Sequence, residues 1–180
     1  MKAEEKQLVY SLKSPAEKRA AFKLLMDQYQ ERLYFAIRKI LIDHDDTNDA
    51  IQECFIKIWN KIDTFNVEAS LYTWMYKIAV NQALQQLRKR KNSFKNEQQY
   101  TEFLETKISN STLMDGDEIQ KLLQQAILKL PEKQRLVFNM KYYDDLKYEE
   151  IAEITDGSIG SLKASYHHAV KKIEEFLKSH

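Results

Sequence analysis

Two short amphipathic segments set one tight polar turn apart constrain this chain more than any other feature. In the first, Tyr148 to Ile154, Ile151, Ala152 and Ile154 are apolar while Glu149, Glu150 and Glu153 face outward. In the second, from near Ser158, the residues Ile159, Leu162, Tyr166, Ala169, Val170 and Ile173 recur at three- and four-residue steps and form one buried helical stripe. Ala152 is small where two steeply crossed helices must approach closely. Asp156 and Gly157 can both take the left-handed backbone that such a turn usually needs. Ser158 can cap the second helix by accepting a bond from an amide near Ser161. By mechanism this is a helix-turn-helix, and its second helix is sized for a DNA major groove.

The rest of the chain reads as helical too. Gly 3 and Pro 2 are very low counts for a chain of 180 residues, and 43% hydrophobic content allows one medium domain or two small ones. Residues 1–14 read as a short, frayed helix with Leu8, Val9 and Leu12 on one side, and Pro15 suits the start of the next. From Phe22 to about Leu41, the positions Leu25, Tyr29, Leu33, Ile37 and Ile40 make a strongly amphipathic helix. Residues 43–48 are read as a polar break. A helix near Asp49 to Ile62 turns Ile51, Phe55, Ile58 or Trp59, and Ile62 inward, with Asp49, Gln52, Glu53 and Lys57 outward. After a loop over 63–70, capped by Ser70, a long helix runs from Leu71 to about Lys91, with Trp74 or Met75, Ile78, Ala79, Ala83, Leu84 and Leu87 inside. Residues 92–116 lose the periodicity and are rich in Asn, Ser, Gln and Thr, so they are read as a flexible linker with at most a weak helical turn. Regularity returns at Asp117, and Pro131 separates two further helices. The expected fold is all-α: an N-terminal helical domain over 1–91, a flexible linker over 92–116, and a helix-turn-helix domain over 117–180.

Several classes of function find no support. There is no Gly-rich phosphate loop, no nucleophile elbow, and no pair of His at ligand spacing. His167 and His168 are adjacent, about 100° apart on a helix, and cannot chelate one ion. Cys54 is the single cysteine, which excludes an internal disulfide, and its neighbours are core positions. No enzyme activity, metal or cofactor is expected. With no long apolar run and no leader pattern, the expectation is a soluble cytoplasmic protein with no membrane insertion. The formal net charge of +1 is small for a free-standing DNA binder. A DNA-binding reading then needs either local positive charge, as in the run Arg88, Lys89, Arg90, Lys91 and Lys95 and in Lys163, Lys171 and Lys172, or a large partner that supplies most of the affinity for DNA.

The string LPEKQRLVFNMKYYDDLKYEEIAEITDGSIGSLKASYHHAVKKI resembles the C-terminal promoter-binding domain of the extracytoplasmic-function (ECF) sigma factors of bacterial RNA polymerase. The run from Phe22 to Lys91, with DAIQECFIKIW and YTWMYKIAVN in order, resembles the other conserved domain of that family. The resemblance implies an alternative sigma factor whose partners are core RNA polymerase, promoter DNA and an anti-sigma factor. It places Asp49, Gln52, Glu53, Phe55 and Trp59 on the helix that docks onto the clamp helices of the polymerase's largest subunit, with the flap of the second-largest subunit as a further contact. It implies minus-ten recognition and melting by Phe65, Asn66, Tyr72, Trp74, Lys77, Asn81, Arg88, Lys89 and Arg90. Aromatic faces would receive unstacked bases there, and cations the phosphates. It implies minus-thirty-five recognition by Ser158, Ser161, Lys163, Ser165, His167, His168 and Lys171. The chain departs from the family where Ser165 stands for an Arg, His168 for another basic residue, and Lys147 for a capping Ser. Arg-to-guanine readout is therefore not expected at the first two positions. A looser helix start is expected at the third. The residues also fit a stand-alone helix-turn-helix regulator that binds a symmetric site as a dimer.

Overall fold

The computed structural model describes residues 3–67, 69–109 and 118–180, and all its regular structure is helical among them. The helices are α1 (Ala3–Lys13), α2 (Lys18–Leu41), α3 (His44–Lys61), α4 (Leu71–Lys91), α5 (Glu97–Ser109), α6 (Glu118–Leu128), α7 (Glu132–Tyr142), α8 (Tyr148–Thr155) and α9 (Ile159–Lys178), with a single 3₁₀ turn at Ile62–Thr64. Two compact units result, Met1–Arg88 and Lys89–His180. Asp117 and the end of the expected linker lie outside the described residues.

In the first unit the expected stripe of α2 is buried throughout: Leu25, Tyr29, Leu33, Ile37 and Ile40. It meets Ile51, Cys54, Phe55 and Ile58 of α3, while α4 adds Leu71, Met75, Tyr76, Ala79, Val80, Ala83 and Leu87 to the core. Each full burial of such a side chain contributes about 1.5–3 kcal/mol. Where two inward candidates stood open, the structure fully buries Ile58 and Met75 and leaves Trp59 and Trp74 half-buried. The polar run read as a break is shorter than expected, since α3 begins at His44. The cause is capping: the buried Asp43 carboxylate accepts from the amides of Asp45 and Asp46, each at 3.0 Å. A polar, acidic first turn is what a helix N-terminus favours. Lys57, expected to point outward, is half-buried and donates its ammonium to Gln82 of α4.

In the second unit Ala126 and Ile127 of α6, Leu130 in the turn after it, Phe138 of α7, and Ala169 and Ile173 of α9 form one core. The expected linker is not featureless. Residues 97–109 form α5, whose Tyr100, Leu104 and Ile108 are buried. Those three positions lie four residues apart, a narrow stripe in a polar background. Arg135 of α7 is only 7% exposed, close enough to Tyr100 and Glu132 to interact with both charge-wise, and burial lowers its pKa.

The helix-turn-helix is closed as the turn chemistry requires, with one difference. Asp156 alone takes the left-handed conformation, at φ 53° and ψ 33°, and no glycine has positive φ among the described residues. At Gly157 the space is tight instead: a Cβ there would stand 3.1 Å from Thr155 Oγ1, closer than an ordinary contact, and 3.5 Å from Leu162 Cδ2. Ser158 Oγ accepts from the Ser161 amide at 3.3 Å and caps α9. Leu162, Ala169 and Ile173 are fully buried, but Ile159, expected inward, is 37% exposed in the first turn.

Candidate functional site

Along α3, Asp49, Gln52 and Glu53 are all exposed and fall within about 100° of arc on one face. Ile56 shares that face and is 53% exposed, too open for a core residue. Beside it lies an apolar groove of about 480 Å³, lined by Phe22, Met26, Gln30, Ile51, Gln52, Phe55, Ile56 and Trp59. Phe55 is 7% exposed and Trp59 half-buried. They line this groove and pack edge-on against Phe22, with ring centroids 6.2 and 5.0 Å apart. The groove therefore presents a pre-formed apolar surface flanked by two carboxylates and an amide, suited to a basic, partly apolar helix. The sequence reading missed Phe22, Met26 and Ile56. The steps Phe22–Met26–Gln30 were the available signal, a second row on α2 beside the core stripe.

The residues expected to act on the minus-ten element do not form a single surface. On α4, Trp74, Lys77, Asn81 and Arg88 lie within about 60° of arc. Asn81 and Arg88 are exposed, Trp74 and Lys77 half-buried. Asn66 is exposed in the loop before α4, its carbonyl accepting from the Ala69 amide at 3.0 Å. Phe65 corrects the expectation of a base-stacking face. It is 2% exposed, its ring lies 5.1 Å from Trp74, and its carbonyl accepts from Lys13 Nζ at 2.7 Å. An apolar ring next to the larger indole gains more from burial than a loop position exposed to water would leave it. It braces Trp74 from behind.

Tyr72 lies on the other side of α4. Its ring stacks with Tyr29 at 6.2 Å and 22°, meets Tyr76 at 5.6 Å, and has the Arg32 guanidinium 3.9 Å from its centroid. Tyr29 Oη donates to Glu5 at 3.0 Å, and burial, then that bond, push its pKa up to about 12. Lys89 is exposed, whereas Arg90 belongs to a cluster of its own unit, with its guanidinium 5.0 Å from the Phe103 ring and 6.0 Å from Phe94.

On α9, Lys163, His167, His168 and Lys171 are exposed. Ser161 and Ser165 are half-buried, and Ser158 is exposed but occupied as the cap. Ser161 Oγ donates to the Ser158 carbonyl at 2.9 Å, so its hydroxyl is committed to the backbone. Lys171 pairs loosely with Glu175 at 4.0 Å. Lys163 Nζ lies 5.7 Å from the centroid of Tyr148, at the start of α8. That start lacks a side-chain acceptor, because a lysine ammonium can only donate, and only the Glu150 carboxylate closes it, accepting from the Lys147 amide at 2.8 Å. No group of His, Cys, Asp and Glu able to hold a metal occurs among the described residues.

Comparison with known proteins fits this geometry. The family "Sigma-70 region 2" matches residues 25–93 and "Sigma-70, region 4" residues 120–173. The chain is 32% identical over 163 residues to the ECF RNA polymerase sigma-E factor of Escherichia coli K12, covering 86% of this chain and 85% of that one. It is 28% identical over 167 residues to ECF RNA polymerase sigma factor SigW of Bacillus subtilis, covering 88% and 89%. Among solved structures, CnrH in complex with the cytosolic domain of CnrY aligns with a TM-score of 0.72 at 18% identity over 97% of each chain. The sigma factor RpoE of Bartonella quintana, in complex with the anti-sigma factor NepR, aligns with a TM-score of 0.68 at 22% identity, over 87% of this chain and 96% of that one. Two matched regions in sequential order, on two helical units of the matching fold, settle the family: the chain belongs to the ECF sigma factors of bacterial RNA polymerase.

Proposed function

We propose that the chain binds core RNA polymerase through the α3 face and its groove and directs the enzyme to promoters by reading DNA with α4 and α9. The observation that carries this is the α3 surface, where Asp49, Gln52 and Glu53 stand exposed beside a ready-made apolar groove inside the region 2 match. Clamp helices of the largest subunit are the fitting occupant, with the flap of the second-largest subunit as the contact for the second unit. Trp74, Lys77, Asn81 and Arg88 form the minus-ten surface, and Lys163, His167, His168 and Lys171 the minus-thirty-five surface. The work is done by binding, with no bond made or broken by this chain. Regulation by an anti-sigma factor fits as well, since one structural neighbour was solved with such a partner.

The test is direct. Exchanging Gln52 for Ala and Glu53 for Lys is expected to weaken binding to core polymerase about tenfold or more without moving the thermal midpoint. Unchanged affinity would overturn the docking assignment. Lys163→Glu is expected to reduce promoter use while leaving polymerase affinity intact.

A further inference from the structure

The row of α2 that lines the docking groove begins one step outside it. Phe22, Met26 and Gln30 line the groove, and Lys18 is the preceding member of the same four-residue series. Its ammonium is 4.9 Å from the centroid of the Trp59 ring and 2.8 Å from Asp63 Oδ2. Phe22, one turn on, meets the same indole edge-on at 5.0 Å and 87°. Trp59 is thus held by two consecutive turns of α2, a cation at one and a ring edge at the other.

Lys18 sits where local physics disfavours it. It is the first residue of α2, and that helix has no acidic residue in its first turn. A cation there opposes the helix dipole. Its side chain is also only 19% exposed, although nothing in the helix calls for a buried lysine. The opposing contacts are those to Asp63 and to the Trp59 face, which join the start of α2 to the end of α3 and the turn after it. A residue that breaks the local rule and is tied into the wall of a binding groove points to a task in that groove.

We infer that Lys18 is a positioning residue for polymerase docking: it does not touch the partner but holds the Trp59 indole as the wall of the α2–α3 groove. This rests on the docking reading above. The experiment labels the chain with 5-fluorotryptophan, so that Trp59 and Trp74 give separate fluorine resonances, and measures affinity for core polymerase in parallel. Lys18→Met is expected to shift the Trp59 resonance, leave that of Trp74 in place, and weaken polymerase binding about threefold to tenfold. Lys18→Arg, which keeps both the charge and the ring contact, is expected to restore both. In a Trp59→Ala background, Lys18→Met is expected to add no further loss. If Trp59→Ala weakens binding and Lys18→Met does not, the positioning role is overturned and the groove stands. If Lys18→Met costs the same with and without Trp59, Lys18 acts directly and the inference is overturned. If Trp59→Ala itself leaves affinity unchanged, the docking reading fails, and this inference with it.

Discussion

The thiol of Cys54 and the phenol of Tyr29 make the first unit sensitive to alkaline pH. Burial pushes the Cys54 thiol up to about 12, and burial followed by the Glu5 bond does the same for Tyr29. In the unfolded chain these groups lose their protons near about 8.5 and about 10. A raised folded pKa contributes stability that is complete below the unfolded value and lost as pH climbs through the folded one. Chemical denaturation is therefore expected to show a constant midpoint from neutral pH to the thiol range and a steady fall above it. Cys54→Ala should delay the onset to the tyrosine range; an unchanged onset would contradict this account. Two turn residues offer gains. Lys147→Ser supplies the acceptor missing at the start of α8 and should stabilise the second unit by about 1 kcal/mol in urea unfolding. Asp156→Gly relieves a left-handed backbone at a position with no glycine and should stabilise by up to about 1 kcal/mol.

At the scale of elements, α5 is the most conditional. A 13-residue helix is marginal by itself in water, so its docking through Tyr100, Leu104 and Ile108 is what holds it. Replacing Tyr100 and Leu104 together by Ala is expected to speed amide exchange across 97–109 at least tenfold while the first unit keeps its protection. Simultaneous loss of protection throughout α7 and α9 would instead make α5 part of the irreducible core. This helix also shows where the sequence was hard to read: four apolar positions among Gln, Glu, Thr and Lys leave too little periodicity to outweigh composition. The start of α3 hid for the opposite reason, because capping residues and break residues are the same residue types. The long stripes of α2, α4 and α9 were legible because many apolar positions repeat at a helical period. Within the site, the exposed polar face of α3 could be read directly, since carboxylates at such spacing have no other place. Whether an aromatic is a face or a brace could not be read. Phe65 and Trp74 differ only in which one the fold buries deeper, and that is decided by packing across elements.

The whole molecule carries 28 basic and 27 acidic residues, a formal net charge of +1. Affinity for a duplex without a partner comes mainly from phosphate neutralisation and falls steeply with salt. On the two proposed DNA-reading surfaces the exposed cations are few and divided between units, Arg88 on α4 in one and Lys163 and Lys171 on α9 in the other. One of those on α9, Lys171, is partly neutralised by Glu175. No described helix is long and apolar enough to cross a membrane. Two weakly charged reading heads gain selectivity when a larger enzyme holds both on one DNA, because the second contact then forms at a high effective concentration. The most direct measurement compares promoter binding and run-off transcription by the free chain and by the chain with core polymerase, at physiological salt. The account predicts weak, sequence-indifferent binding by the free chain and specific transcripts only when polymerase is present. Tight, sequence-specific binding by the free chain, or no specific transcript with polymerase, would contradict it.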